Sequence, residues 1–321
     1  MNLFFCKVDG GNFGDDMNGW FWDELFPDYP DLAPDTTLFG IGSILWRDNF
    51  KGYEKVLVMG SGSGYGVIPN ELPKGTQIGF VRGPRTARLL NLEADMAITD
   101  PAIMVSTFER FQDLKKTDEV VFIPHIGTAK LPLNWEHVAE RAGVKYLSPA
   151  IDSHDVITEL AGASLVLAES LHGAIIADAF QVPWLPVSVS PTFNRHKWLD
   201  WCDSLEMEIT FQDFLVGMKK TRARVAQIRS ALSSRKMAGD TPSNPKDIRN
   251  GTHVAPTFSE GDKNAARKWV SRLSPAVETM LVRDLRRAKK MKGYQSSEKI
   301  LKRRQSQILE RIDQVRNRLV A

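Results

Sequence analysis

His172 stands where an apolar run gives way to a small-residue run, in Glu169-Ser170-Leu171-His172-Gly173-Ala174. A histidine there can carry a proton, or contact an anion, near neutral pH. Gly173 beside it would let a ligand approach the backbone, and a core histidine or helix cap would account for the same residues. His125 closes a second apolar run, Phe122-Ile123-Pro124-His125. His137, His154, His196 and His253 lack that placement and read as structural. Arg82 and Arg85 flank the turn Arg82-Gly83-Pro84-Arg85-Thr86, where two guanidinium forks could hold a carboxylate or phosphate. Near the start, Gly10-Gly11-Asn12-Phe13-Gly14-Asp15-Asp16-Met17-Asn18 puts Asn12 and Asp15 in a turn. A cap for a helix beginning near Gly19 explains its glycines, but explains the paired acids less well.

These residues need strand ends to converge them. Short apolar runs predict strands over Leu3 to Val8, Thr37 to Ile41, Lys55 to Met59, Gln77 to Val81 and Met96 to Ile98. A second series follows over Glu119 to Pro124, Val144 to Leu147, Leu165 to Ala168 and Trp184 to Val187, with helices between, from Leu133 to Ala142, Asp152 to Ala161 and on to Phe180. This βα rhythm predicts parallel sheets, whose ligands sit beyond the carboxyl ends of the strands. The chain divides into 1–105, 106–232, a Ser/Gly/Pro-rich linker over 233–263, and a basic helical tail over 264–321. In the tail, Ile308, Ile312, Val315 and Leu319 mark one apolar seam. That seam could pair with a partner helix, lie on an anionic membrane, or pack back on its own body.

Composition narrows the class. A 321-residue chain, 42% hydrophobic, can bury two cores. It has no apolar run of membrane-spanning length, and Met1 to Val8 is too short and too weakly apolar for a secretory signal. Cys6 and Cys202 give no metal spacing, so a reducing, cytoplasmic compartment is expected and no metal site. From 281 to 321 there are thirteen Lys/Arg against four Asp/Glu, a charge of +9 on a body of −6. The basic tail points to an anionic surface, yet no nucleic-acid motif accompanies it. The glycine turns Gly40-Ile41-Gly42-Ser43 and Gly60-Ser61-Gly62-Ser63-Gly64 fit neither G-x-G-x-x-G nor a P-loop nor a nucleophile elbow.

Taken in order, N-F-G-D-D-x-N, G-I-G-S, G-S-G-S-G, R-G-P-R-T, D-P-A and S-L-H-G-A resemble the polysaccharide pyruvyl transferase family over roughly residues 1 to 215. The resemblance implies an α/β fold of two Rossmann-like domains facing across a cleft, similar to the GT-B glycosyltransferases, with the helical extension appended. It implies phosphoenolpyruvate as co-substrate, no resident cofactor, and a sugar of an exopolysaccharide or lipid-linked cell-surface precursor as acceptor. Arg82 matches the family's donor-binding arginine, and Leu171 and His172 its L-H pair. The family often carries arginine directly before that pair, where this chain has Ser170, and Arg85 is the candidate substitute.

Under that resemblance His172 is the candidate general acid or phosphate contact, His125 the second choice, and Asp15 a base for the acceptor hydroxyl. Arg82, Arg85, Ser170, Leu171 and Gly173 line the donor, Asn12 is a further substrate contact, and Gly62 and Gly64 are on the acceptor side. The expected place is the cytoplasm, with peripheral contact at the inner membrane face through the tail. Two rival readings use the same features: a GT-B glycosyltransferase taking a nucleotide sugar, and a non-catalytic scaffold working through the tail.

Overall fold

Runs of apolar residues four to six long, set between glycine turns and helices, fold as parallel strands because both faces of such a sheet are covered. The computed structural model describes residues 1–216 apart from 67, 70, 132 and 190–192, together with 252–254 and 275–320. The first sheet holds β1 (Asn2–Lys7), β2 (Thr37–Phe39), β3 (Lys55–Met59) and β4 (Gly75–Phe80), with β10 (Thr252–Val254) beside β1. Its order is β10-β1-β2-β3-β4, all parallel. The second sheet holds β5 (Val120–Ile123), β6 (Lys145–Tyr146), β7 (Leu165–Ala168), β8 (Trp184–Ser188) and β9 (Gln212–Asp213) in the parallel order β6-β5-β7-β8-β9. Every residue of β7 and β8 is buried.

Helices α1 (Phe13–Asp16), α2 (Asn18–Leu25), α3 (Tyr29–Leu32) and α4 (Pro84–Leu89) serve the first sheet. The second has α5 (Ile126–Ala129), α6 (Trp135–Ala142), α7 (Ser153–Gly162), α8 (Leu171–Ala179) and α9 (Arg195–Ser204), followed by α10 over 275–288. The first turn is helical from Phe13 rather than from Gly19, so Asp15 and Asp16 lie inside α1. Asp16 accepts the Asn12 N–H at 2.7 Å, and Asp15 accepts Asn12 Nδ2–H at 2.6 Å. Met96 to Ile98 is not a strand. It forms part of a 3-10 turn, Ala94–Met96, with one bridge between Val81 and Ala97. Asp100 caps the next 3-10 helix, Pro101–Thr107, and Pro101 has no N–H for a ladder, so a strand cannot run on.

The seam of α11 (Glu298–Val320) is covered by the chain itself. Leu301, Ile308, Ile312 and Val315 are buried in the same apolar cluster as Phe13, Trp22 and Trp184, and Leu319 packs at its border. Each fully buried aliphatic side chain contributes about 1.5–3 kcal/mol. The expectation of a membrane or a partner helix on this seam is thereby corrected, because an apolar stripe already buried has nothing left to offer either. At about 1.5 Å per residue, the helix is long enough to join both halves. Arg304 donates to the Ser204 carbonyl, Gln305 to that of Ile103, and Arg316 pairs with Asp28 at 2.8 Å. Of the expected linker over 233–263 only 252–254 are described, and they form the edge strand β10. Among the described residues no helix is long and apolar enough to cross a membrane.

Candidate active site

The residues singled out by type lie just beyond strand ends. Asp15 follows β1, Gly40 to Ser43 follow β2, Gly60 to Gly64 follow β3, Arg82 follows β4, His125 follows β5 and His172 follows β7. Carboxyl-end placement in both sheets brings side chains from the two halves toward one another.

His172 sits in the first turn of α8 with its ring against the backbone of α1. A Cβ on Gly14 would overlap His172 Nδ1, so only glycine lets the two helices approach this closely. The Phe13 ring meets the imidazole edge-on, with centroids 6.4 Å apart. On the other side, Asp100 Oδ2 lies 3.9 Å from His172 Nε2. Asp100 is fully buried; its Oδ1 accepts the Ala102 N–H, while Oδ2 has no hydrogen-bond partner among the described residues. Burial lowers His172 to about 3, and the positive charges of Lys197 and Arg82 push the same way. Burial raises Asp100 to about 6, with Arg82 and the Ala102 amide opposing. Asp15 is raised by burial to about 7, against the hydrogen bond from Asn12 and the field of Lys197. At neutral pH, then, His172 is uncharged in the free protein and Asp15 is the group poised between states. Of the two roles expected for His172, general acid or phosphate contact, an uncharged imidazole suits the acid role only after it has taken up a proton.

Arg82 is 1% exposed and spent on internal partners. Its Nε–H donates to Asp200 Oδ2 at 3.1 Å, one terminal nitrogen to Ser43 Oγ at 2.7 Å, and the other to the Ser63 carbonyl at 2.6 Å. A Cβ on Gly62 would overlap the guanidinium carbon, so the glycine serves Arg82 rather than a sugar. Gly64 similarly packs on Ser43 and near Lys197. Asp200, on α9, also accepts the Thr86 N–H at 2.9 Å and the Thr86 hydroxyl at 2.7 Å. It thus receives a helix-start amide from α4, a favourable place for a negative charge. Arg85 pairs with Asp203 at 2.7 Å on a half-exposed flank, so its charge is already engaged away from His172.

The remaining sequence candidates are structural in their contacts. Ser170 caps α8, its Oγ accepting the Gly173 N–H at 3.3 Å. Gly173 itself presses its Cα on Ile123 of β5, which corrects the expectation of a ligand at that backbone. Leu171 is buried in the core. His125 Nδ1 accepts the Gly127 N–H at 3.1 Å and its own N–H donates to Glu169 Oε2 at 3.1 Å. Glu169 Oε1 also accepts the Val189 N–H, so this buried carboxylate staples the ends of β5, β7 and β8.

Four side chains escaped the residue-by-residue reading: Asp100, Lys197, Asp200 and His196. His196, expected to be structural, shares a 3.0 Å hydrogen bond with Ser63 Oγ beside the Arg82 network. Lys197 is 9% exposed, and its Nζ donates to the Tyr65 hydroxyl at 3.1 Å. Two cavities, of about 310 Å³ between α4, α9 and α11 and about 700 Å³ along β6, involve neither His172 nor Asp15.

Comparison with known proteins places this geometry in context. Residues 77–191 match the family model described as polysaccharide pyruvyl transferase, a span containing Arg82, Asp100 and His172. The chain is also 41% identical over 206 residues to the succinoglycan biosynthesis protein ExoV of Rhizobium meliloti (strain 1021). That match covers 64% of this chain and 65% of the relative, just under two thirds of the relative's length. No solved structure matches the chain.

Proposed function

We propose, from the match of residues 77–191 to the polysaccharide pyruvyl transferase model, that the chain is a member of that family and moves pyruvyl from phosphoenolpyruvate onto a sugar of an exopolysaccharide or cell-surface glycan precursor, closing a cyclic ketal. The likeness to a succinoglycan biosynthesis protein supports the acceptor class. The two sheets with helix-bearing carboxyl ends support the GT-B-like reading of the cleft.

One observation carries the mechanism: His172 packs against Gly14, one residue before Asp15 on α1, and the charge of Lys197 acts on both the uncharged imidazole and the Asp15 carboxyl, raised to about 7. Asp15 protonates the methylene carbon of the donor, which makes the neighbouring carbon electrophilic. A sugar hydroxyl oxygen bonds to that carbon and passes its proton to His172. The carbon–oxygen bond to phosphate breaks, and phosphate leaves with the electron pair and the His172 proton. A second hydroxyl then closes the ring and returns its proton to Asp15. One donor and one diol thus give one ketal and one inorganic phosphate. Arg82 acts through position: held by Asp200, it fixes Ser43 and the Ser63 carbonyl and supplies fixed positive field. The donor is an intracellular metabolite, so the proposal puts the chain in the cytoplasm. Any contact with an anionic membrane would fall to the outer Lys/Arg face of α11.

Incubation with phosphoenolpyruvate and candidate galactosides, glucosides or mannosides should release phosphate in equal amount to ketal formed. His172→Ala should cut this by about 10²-fold or more. Absence of release with every acceptor, or binding of a nucleoside diphosphate in place of phosphoenolpyruvate, would contradict the assignment.

A further inference from the structure

Arg82, Arg85 and Lys197 stand near the carboxyl ends of the strands, and the first two are neutralised. Arg82 has Asp200 at 3.1 Å and Arg85 has Asp203 at 2.7 Å. Lys197 differs. It is 9% exposed, yet among the described residues no carboxylate lies within 4 Å of its ammonium. Its hydrogen-bond partner is a neutral phenol, Tyr65 Oη at 3.1 Å, and the ammonium lies 5.4 Å from the same ring. Burying an ammonium without an acid partner is costly, and an incoming anion would offset that cost.

We propose that Lys197 is the residue that binds the anionic group of the donor, exchanging its resting contact with Tyr65 for the incoming phosphate or carboxylate. This rests on the pyruvyl-transfer reading and names the cation which that reading lacked, since Arg82 and Arg85 are engaged. Its position agrees, because the charge of Lys197 is felt by both His172 and Asp15. Tyr65, half out in solvent on the glycine loop after β3, is free to swing away when the ammonium changes partner. An ammonium suits the task because its three donors rotate to meet a phosphate as a point charge.

Calorimetric titration of the full chain with phosphoenolpyruvate, and separately with inorganic phosphate, tests this. Lys197→Met should weaken both by about 10- to 100-fold, the loss expected for a charged hydrogen bond, and Lys197→Arg should recover much of it. Tyr65→Phe removes the competing partner from an exposed position and should tighten donor binding by about 2- to 10-fold. Lys197→Met that binds phosphoenolpyruvate as the parent does overturns the role of Lys197 while leaving the pyruvyl-transfer reading intact. If that variant does not fold, Tyr65→Phe binding no tighter than the parent overturns it instead. A parent protein that binds phosphate but not phosphoenolpyruvate retires the donor assignment, and Lys197→Met losing phosphate would still uphold the anion site. A parent that binds neither overturns both.

Discussion

Asp15→Asn should reduce turnover by about 10²–10⁴-fold, the span for removing a positioned proton carrier, with little change in melting temperature. The asparagine keeps an oxygen for Asn12 Nδ2–H and a similar volume, so α1 retains its turn. What disappears is a proton that can leave and return near pH 7, because burial holds the Asp15 carboxyl at about 7. Steady-state phosphate release across pH checks this. The parent should lose activity above pH 7 as Asp15 empties of its proton, since carbon protonation requires the acid form. The residual rate of the variant should lack that limb. A variant keeping more than about a tenth of parental turnover would remove Asp15 from the proton-transfer role.

Arg82→Met should destabilise the fold by about 3–5 kcal/mol, the cost of leaving a buried charge without its partner. Asp200 is fully buried, and its second oxygen and its lone pairs are committed to Thr86 on α4. Denaturant unfolding measures the loss. Arg82→Met combined with Asp200→Leu should recover most of the ion-pair penalty, while still lacking the contacts to Thr86 and still inactive. The pair joins the turn between β4 and α4 of the first half to α9 of the second, so its removal should also lower the cooperativity of unfolding. A single variant as stable as the parent would show that the network is not the brace between halves.

Much of the scaffold was legible because parallel strands are apolar along their whole length: Leu165–Ala168 and Lys55–Met59 emerge with the boundaries read from the sequence. The junction at His172 was legible too, since a β-strand passing into a small-residue helix leaves few choices. The companions of His172 were not. Asp100 looks like a break before Pro101, and nothing local says its carboxylate is buried beside an imidazole from residue 172. Helix α9, Arg-His-Lys-Trp-Leu-Asp-Trp-Cys-Asp-Ser, mixes charged residues with tryptophans, so nothing local marks which of its charges are buried. Its Lys197 and Asp200 are buried because the facing half supplies Tyr65, Arg82 and Thr86, contacts more than a hundred residues distant in sequence. The glycines were misread for the converse reason. Gly62 and Gly173 do mark close approaches, but by Arg82 and Ile123 of the same chain.

The central claim is that a multiply charged anion settles beside Asp15 and His172. Negative charge placed there raises both pKa values, from about 7 and about 3 respectively in the free protein. Donor binding must then take up protons, and affinity must fall as pH rises through 7, the range in which free Asp15 gives up its proton. Titrating phosphoenolpyruvate into the protein at pH 7 to 8.5, in buffers of differing ionisation heat, measures that proton count directly. Uptake of a substantial fraction of a proton, abolished by Asp15→Asn, is the predicted result. Binding with no proton exchange, or with release, would contradict the placement of the donor beside these two residues.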